Sequence, residues 1–327
     1  MSNENKKRII GVDLGGTKML TVLFDSHFKV IASEKSKTDS SAGKKRFIKI
    51  LNESIQNVIE DGRCIPKHIL GIGIAVPGVV NHQTKAIVSC PNLPFLKNFP
   101  LTALLKKHWK AKVIIENDVN AGLFGEFQFG AAKGFSQVVG IFPGTGIGGA
   151  LILDGKLYRG ATGAAGEIGH IMIDPFGPSC GCGKNGCLEA LAGRVAIASE
   201  ASVLALKQKA PHLFELAGTD VSKVKSRILK KAIQSGDKSV EKLVRSKARL
   251  LGQSMATVVN LLNPELIVLG GGLVEAMPEI FVKESRTAMH EFAMTSLASK
   301  VKVVAAQLGD YAVAKGAAKL VFDAKKK

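Results

Sequence analysis

The chain has 327 residues, 46% of them hydrophobic and 22% charged, as expected of a globular protein with about two domains. Its net charge of +18 favours contact with polyanions, but the basic residues are scattered along the sequence. The chain has only one Trp and two Tyr, and this scarcity of aromatic side chains argues against a specific nucleic-acid partner held by base stacking. No apolar run approaches the roughly 18 residues of a membrane span, and the polar N-terminus is unlike a signal peptide. We therefore expect a cytoplasmic protein with no membrane partner, in which thiols stay reduced.

The first half of the chain is predicted to open with a β-hairpin and to continue with alternating helices and strands. Apolar runs on both sides of Gly15-Gly16 predict the hairpin, and hydrophobic periodicity predicts the elements that follow. These elements are strands over 9–14 and 19–24, a helix over 45–59, strands over 69–76 and 113–115, and a helix over 121–129.

The second half repeats the opening layout of strand, threonine-containing glycine turn and strand. The predicted elements are strands over 138–142 and 150–153, mostly helical chain over 194–262, strands over 266–269 and 301–305, and a helix over 312–322. Alternation of strands and helices predicts an α/β fold. We expect a smaller α/β domain over 1–117, completed by the C-terminal helix at about 311–327, and a larger one over 118–310.

The first glycine turn, from Asp13 to Lys18, has a composition suited to phosphate binding. Gly15 and Gly16 let the backbone approach a ligand and turn its N–H groups outward as an anion nest, and Thr17 adds a hydroxyl donor. Asp13 can hold Mg²⁺ directly or through water. The other interpretation is a plain hairpin turn with a capping aspartate.

The second glycine turn, Gly144-Thr145-Gly146-Ile147-Gly148-Gly149, fits the Gly-x-Gly-x-x-Gly pattern of dinucleotide-binding folds. That pattern requires a helix after the turn, whereas the apolar run over 150–153 predicts a strand, so we reject a Rossmann-type site. The chain also lacks the Gly-x-x-x-x-Gly-Lys-Ser/Thr loop of P-loop enzymes.

Three cysteines, Cys180, Cys182 and Cys187, lie within eight residues, separated by several glycines. In a reducing compartment such a cluster favours zinc, and His170 completes a Cys₃His set typical of a closed structural site. The glycines are expected to supply the positive-φ positions that tight Cys-x-Cys packing requires. A chance cluster or a disulfide is the alternative. Zinc here would fix the two loops that carry Glu167 and Glu189.

Asp118 follows a predicted strand and precedes a predicted helix, so one interpretation is an N-cap. The other is a general base. Phosphoryl transfer to an alcohol needs the hydroxyl aligned and its proton accepted as the new bond forms, and a carboxylate of ordinary pKa would accept that proton late. Asn117 would hold a neighbouring hydroxyl.

Six motifs in one order resemble the ROK family (repressors, uncharacterised proteins and kinases), within the actin–hexokinase–heat-shock ATPase superfold. They are the turns at 13–18 and 144–149, Glu-Asn-Asp-Val-Asn-Ala at 116–121, Gly-Glu-Ile-Gly-His at 166–170, the cysteine segment at 180–189, and Asn-Pro-Glu at 263–265 with the glycines at 270–272. The resemblance implies a two-domain actin/hexokinase-like (ribonuclease H-like) α/β fold with a central cleft. Phe142-Pro143 departs from the Thr-Leu pair of the family pattern, which affects local loop geometry only.

The resemblance also implies a set of site residues, an ATP–Mg²⁺ phosphoryl donor, a structural Zn²⁺ and a homodimer or tetramer. Hexose would contact Gly78, Asn117, Asp118, Glu167, His170 and Glu189. The nucleotide and its phosphates would contact Asp13, Gly15, Gly16, Thr17, Lys18, Gly144, Thr145, Gly146, Gly271 and Gly272, with Mg²⁺ at Asp13. Zinc would bind His170, Cys180, Cys182 and Cys187.

These residues predict an ATP-dependent hexose kinase, with glucose and its 6-hydroxyl favoured and Asp118 as general base. N-acetylhexosamine kinase (GlcNAc or ManNAc) and fructokinase remain open, as does polyphosphate as donor. A sugar-sensing transcriptional regulator would need a helix-turn-helix before the first strand, and only eight residues precede Ile9. An inactive scaffold is disfavoured because no structural role requires Asp13, Asp118, Glu167 and Glu189 together.

Overall fold

The computed structural model describes residues 7–38, 43–90 and 93–326. Its strands are β1 Arg8–Leu14, β2 Lys18–Asp25, β3 Val30–Lys37, β4 Ile69–Val76, β5 Val79–Asn81, β6 Ala86–Ser89, β7 Lys112–Asn117, β8 Val138–Pro143, β9 Ile147–Leu153, β10 Lys156–Tyr158, β11 Leu266–Leu269 and β12 Lys302–Ala305. Its helices are α1 Gly43–Asp61, α2 Leu101–Trp109, α3 Asp118–Phe129, α4 Leu188–Ala192, α5 Arg194–Leu206, α6 Pro211–Ala217, α7 Ser226–Gln234, α8 Lys238–Leu262, α9 Gly272–Ala276, α10 Pro278–Phe292, α11 Thr295–Ala298 and α12 Ala312–Lys326.

Contacts divide the chain into two compact units. The first comprises the described residues up to Gly134 together with Leu157–Ala165 and the chain from Gln307 onward, and the second comprises Phe135–Lys156 and Gly166–Ala306. Helix α3 therefore belongs by its contacts to the first unit, although the sequence suggested a boundary at residue 117. The domain limits inferred from the sequence stay a prediction.

The first unit is built on a five-stranded sheet in the order β3-β2-β1-β4-β7. Strands β1, β2 and β3 pair antiparallel, and β1, β4 and β7 pair parallel. Strand β4 is almost entirely apolar and buried, as expected of a parallel strand covered on both faces. Helix α1 contributes one apolar stripe, spaced by three and four residues, to the core beside this sheet: Phe47, Leu51, Ile55, Val58 and Ile59.

Helix α12 packs very closely on the sheet and on α3, because glycines replace side chains where the backbones meet. A Cβ at Gly73 of β4 would overlap the Ala317 carbonyl of α12, and a Cβ at Gly316 of α12 would overlap the Ala121 carbonyl of α3. The small-residue composition of the closing helix is therefore a requirement of this packing.

The second unit repeats the layout of the first, with a five-stranded sheet in the order β10-β9-β8-β11-β12. Strands β8 and β9 form an antiparallel hairpin, and β8, β11 and β12 are parallel. The 25-residue helix α8 packs extensively on α10 and presents an apolar stripe to the core: Val240, Val244, Ala248, Leu251, Met255 and Val259. The strand–turn–strand repeat seen in the sequence thus corresponds to two sheets of one topology.

The α/β fold class is confirmed, and the predicted strands and helices lie within a few residues of the observed ones. The second glycine turn is followed by strand β9, which confirms the rejection of a dinucleotide-binding turn. The sequence analysis missed β3, the β5–β6 hairpin, α2, β10 and four helices of the second unit, α4, α9, α10 and α11. Within the part of the chain that the structure describes, no helix is both long and apolar enough to span a bilayer.

Candidate active site

The junction of β7 and α3 positions Asn117 and Asp118 in the first unit. Asn117 is the N-cap of α3, because its side-chain oxygen accepts a hydrogen bond from the Asn120 backbone N–H. The capping interpretation of Asp118 is therefore wrong: the cap precedes it, and Asp118 opens the first turn of the helix. Its Oδ1 accepts hydrogen bonds from the Val119 N–H at 2.9 Å and from the Asn117 amide at 3.1 Å.

Gly78 lies beside this junction and helps to orient Asn117. Its carbonyl accepts a hydrogen bond of 3.0 Å from the Asn117 Nδ2. Gly78 has φ +125°, and a Cβ there would overlap the Ser89 carbonyl, so only glycine fits without strain. The Asn117 side chain is thus held at both ends, by Gly78 and by Asn120.

Glu116 is a supporting residue to which the sequence analysis assigned no role. Its carboxylate is 1% exposed and accepts hydrogen bonds from the Asn117 N–H at 3.0 Å and the Asn120 amide at 3.1 Å. Arg159 donates to its Oε2 through Nε and Nη2, each at 2.7 Å, and His82 Nε2 lies 3.2 Å from its Oε1. Burial alone would raise the pKa of Glu116, but His82 and Arg159 outweigh it and lower the pKa. A lone carboxylate ending the apolar run of β7 was the available signal.

Asp13, near the end of β1, lies close enough to Asp118 for the two carboxylates to interact. Burial, followed by the charge of Asp118, raises the pKa of Asp13 to about 7, against the opposing effect of Lys18. Two carboxylates brought together in this way form a site where a divalent cation would be stabilised, and hard oxygen ligands suit Mg²⁺. The donor set thus fits the predicted magnesium ion.

The first glycine turn already uses part of its backbone for the hairpin. The Gly15 N–H donates to the Lys18 carbonyl at 2.9 Å, so this group is not turned outward as the anion-nest prediction required. The Thr17 carbonyl accepts a 2.9 Å hydrogen bond from the Thr38 N–H. The side chains of Thr17 and Lys18, which follow Gly15 and Gly16 in the turn, are exposed.

In the second unit, the second glycine turn is fixed by Arg194, a residue the sequence analysis did not single out. Gly144 donates its N–H to the Gly146 carbonyl at 2.8 Å and accepts from the Arg194 N–H at 3.0 Å. The Arg194 Nη2 donates to the Thr145 hydroxyl at 3.0 Å. Main chain and side chain of one arginine, at the start of α5, therefore hold the turn. An isolated Arg after Gly193 offers no sequence signal for this role.

Glu189, in α4, connects this turn to the cysteine segment. Its Oε2 accepts a 2.9 Å hydrogen bond from the Ile147 N–H, and a Cβ at Gly146 would overlap the same oxygen. Its Oε1 lies 4.0 Å from the Cys180 Sγ. A role for Glu189 in contacting substrate stays a prediction, and its contacts give it a supporting role at the turn.

The predicted zinc ligands come together in the second unit. The ligand atoms of His170, Cys180, Cys182 and Cys187 all lie within 4.8 Å of one another. The Cys182 and Cys187 sulfurs are 3.6 Å apart, and the Cys180 sulfur is 3.6 Å from His170 Nδ1. Tetrahedral zinc with bonds of about 2.3 Å to sulfur and about 2.0 Å to nitrogen would separate such pairs by roughly 3.5–3.8 Å. The four residues therefore fit the metal.

The glycines of this segment only partly follow the prediction. Gly183 has φ +87° and Gly186 has φ +68°, both in the left-handed region, whereas Gly181 does not have positive φ. Burial, together with the neighbouring thiols of Cys182 and Cys180, raises the pKa of the Cys187 thiol to about 12. A divalent cation would compensate the charge of thiolates packed this closely.

His170 links the cysteine cluster to Glu167. Its Nδ1 faces Cys180, while its Nε2 lies 4.0 Å from the Glu167 carboxylate. Glu167 precedes the short 3₁₀ turn Ile168–His170, and about half of its side-chain surface is exposed. With Nδ1 directed to the sulfurs, the ring keeps Nε2 for a second partner.

The structure thus distributes the predicted site residues over both units. The first unit contains Asp13, Gly15, Gly16, Thr17, Lys18, Gly78, Asn117 and Asp118, and the second contains Gly144, Thr145, Gly146, Glu167, His170, Cys180, Cys182, Cys187, Glu189, Gly271 and Gly272. Gly271 and Gly272 lie at the start of α9, directly after β11.

The chain is similar to proteins of one family along nearly its whole length. The model of the ROK family matches residues 9–324. A glucokinase of Thermotoga maritima is 34% identical, covering 97% of this chain and 98% of that protein, and a xylose repressor of Caldicellulosiruptor bescii is 30% identical, covering 98% and 79%. The structure of a ROK family glucokinase from Streptomyces griseus, in complex with glucose and AMPPNP, superposes with a TM-score of 0.84 at 29% identity, over 97% of this chain and 99% of that one. The fold is therefore of the actin/hexokinase-like type, and the chain belongs to the ROK family.

Proposed function

We propose that the chain is an ATP-dependent hexose kinase of the glucokinase type, which transfers the terminal phosphoryl group to the 6-hydroxyl of glucose. The observation on which this rests is the carboxylate of Asp118, positioned by Asn117 and Gly78 at the start of α3. The similarity to glucokinases, including one solved with glucose and AMPPNP, supports the choice of sugar and donor.

In the proposed reaction, Asp118 accepts the proton of the attacking hydroxyl while Asn117 holds a neighbouring hydroxyl. The sugar oxygen forms a bond to the terminal phosphorus, the bond from that phosphorus to the bridging oxygen breaks, and ADP leaves with the electron pair. Proton transfer is late, because the alcohol becomes acidic only as the new bond forms. Glu116 acts through Asn117 and Asn120, keeping the start of α3 in place.

Asp13 would hold the magnesium of the nucleotide, directly or through water, and this ion would neutralise charge on the terminal phosphates. The two glycine turns would bind the phosphates through the Thr17 and Thr145 hydroxyls and through backbone N–H groups other than those of Gly15 and Gly144, which donate within the turns themselves. In the second turn, the Arg194 and Glu189 contacts keep the backbone in one conformation. This limits the reorganisation needed when phosphate binds.

The Cys₃His set would hold a structural zinc ion. Zinc would fix the ring of His170 through Nδ1 and leave Nε2 to bind a sugar hydroxyl beside Glu167. With four protein ligands the ion has no open position, so it supplies stability to the loops and no Lewis acid to the reaction.

The decisive variant is Asp118→Asn, which keeps the shape of the side chain and removes the base. We expect kcat to fall by roughly 10²–10⁴, with folding and zinc content unchanged, in an assay of hexose-dependent ADP release. Asp61→Asn, an exposed position at the end of α1, is the matched control and should keep wild-type turnover. Near-normal turnover of folded Asp118→Asn would refute the assignment.

A second candidate is a sugar sensor without kinase activity, favoured by the similarity to xylose repressors. Comparing glucose, GlcNAc, ManNAc, fructose and xylose, each with ATP and with polyphosphate, separates the candidates. A kinase releases ADP or shortens polyphosphate with one hexose, whereas a sensor binds sugar without consuming the donor. GlcNAc, ManNAc or fructose as preferred acceptor would replace glucose within the same mechanism.

A further inference from the structure

The first unit contains a cavity of about 710 Å³ that is separate from the residues proposed for catalysis. Edge strand β7, helix α2 and the β5–β6 turn contribute its walls. Its volume lies within the range of roughly 300–1,000 Å³ typical of small-molecule sites. Such a cavity is large enough for an organic ligand.

The charged groups that line this cavity are basic. Lys85, Lys106, Lys110 and Lys112 contribute to its wall, and no Asp or Glu of the described residues does. The Lys112 ammonium donates to the Ala324 carbonyl. Among the described residues, no ion pair or side-chain hydrogen bond is found for the other three. Three ammonium groups around one concave surface favour a ligand with several negative charges.

The apolar residues that line the cavity indicate the character of the uncharged part of the ligand. Val80, Val113 and Ile115 provide buried apolar surface, which inorganic phosphate alone would not use. An apolar wall beside basic side chains favours a ligand that has a carbon body as well as its negative charges.

We infer that this cavity is a binding site for an organic phosphate that carries two or more phosphate groups. The lysines bind the phosphate groups, and the carbon body lies on the apolar wall. This site goes beyond the proposed kinase activity and does not depend on it.

The cavity also touches the residues that support Asp118. His82 lines the cavity, and its Nε2 lies 3.2 Å from Glu116 Oε1. The same oxygen accepts the hydrogen bond from the N–H of Asn117, which precedes Asp118. A ligand that contacts His82 therefore acts on the carboxylate that holds the start of α3, giving the site a route to influence turnover.

The test is calorimetric titration of the purified chain, without sugar or nucleotide, with fructose 1,6-bisphosphate and separately with inorganic tripolyphosphate. We expect the bisphosphate to bind one site per chain with Kd below about 1 mM, and more tightly than tripolyphosphate. The double variant Lys106→Gln/Lys110→Gln should weaken it by roughly tenfold or more, because two charge-assisted contacts are lost.

The matched control is Lys97→Gln/Lys107→Gln, which removes the same charge at two exposed lysines outside the cavity wall. It should bind the bisphosphate like the wild type. Equal weakening by the control would mean unspecific attraction to a basic surface and would overturn the site. Absence of binding by both probes would overturn it too. Binding of tripolyphosphate that is tighter than that of the bisphosphate and is weakened by Lys106→Gln/Lys110→Gln would overturn the organic ligand. Because kinase turnover is not measured, failure here is distinct from failure of the proposed function.

Discussion

Replacing Glu116 by Gln tests whether the start of α3 depends on the buried carboxylate behind it. Glutamine keeps the size of the side chain and can still accept from the Asn117 N–H and the Asn120 amide. It presents an NH₂ group where Arg159 now donates twice to Oε2. The variant therefore removes the charge and two charge-assisted hydrogen bonds with little change in shape.

The expected cost follows from the burial of the partners. Removing one partner of a fully buried ion pair costs about 3–5 kcal/mol, because the other charge stays uncompensated. Glu116 is 1% exposed, but the Arg159 side chain is 30% exposed, so water can partly solvate the guanidinium in the variant. We therefore expect the free energy of unfolding to fall by about 2–4 kcal/mol at neutral pH.

The same variant carries a pH signature. The pKa of Glu116 in the folded protein is below its ordinary value of 4.5, so the unfolded chain binds a proton more readily. The contribution of this carboxylate to the free energy of unfolding is thus fully present above pH about 4.5. It is lost as the pH falls through the pKa of Glu116 in the folded protein. The difference in the free energy of unfolding between wild type and Glu116→Gln should be constant near neutral pH. It should become smaller as the pH is lowered below about 4.5.

Urea denaturation at several pH values, followed by circular dichroism, measures both effects. Glu53→Gln is the control, because its pair with Lys49 is exposed and 3.7 Å long, and it should cost under about 0.5 kcal/mol. kcat should also fall in Glu116→Gln, because the side chain that accepts from the Asn117 N–H loses its two bonds to Arg159 and is held less firmly. A loss of stability no larger than in the control, or one independent of pH, would refute the reasoning.

Two further predictions concern groups elsewhere in the molecule. Glu126 is fully buried and accepts hydrogen bonds from three backbone N–H groups at 2.8–2.9 Å. Glu126→Gln should therefore lower the free energy of unfolding, measured by urea titration, by about 1–3 kcal/mol. An unchanged urea midpoint would contradict this prediction. We expect mass spectrometry of metals to find zinc in the wild type and in Cys64→Ser, a position outside the cluster, but not in Cys182→Ser. Stoichiometric zinc in Cys182→Ser would exclude the proposed ligand set.

Patterns local in the chain were sufficient for many of the elements and for recognising the main motifs. A continuous apolar run predicted β4, and a period-3.6 pattern predicted α1, because the burial of each follows from the sequence of that one element. The Cys₃His cluster was predictable because three of its four residues lie within eight positions of the sequence. Polar exposed strands such as β3, and short helices such as α2, carry weaker patterns and were missed.

Contacts between distant segments were decided only by the folded chain. Arg159 lies 43 residues from Glu116 and Arg194 lies 49 residues from Thr145, and in neither case does spacing indicate the pairing. The choice of Asn117 over Asp118 as N-cap depended on where β7 ends and α3 begins, a difference of one residue. The basic cavity likewise arises because β7 lies at the sheet edge beside α2. Such features depend on the packing of whole elements, which single-residue propensities do not encode.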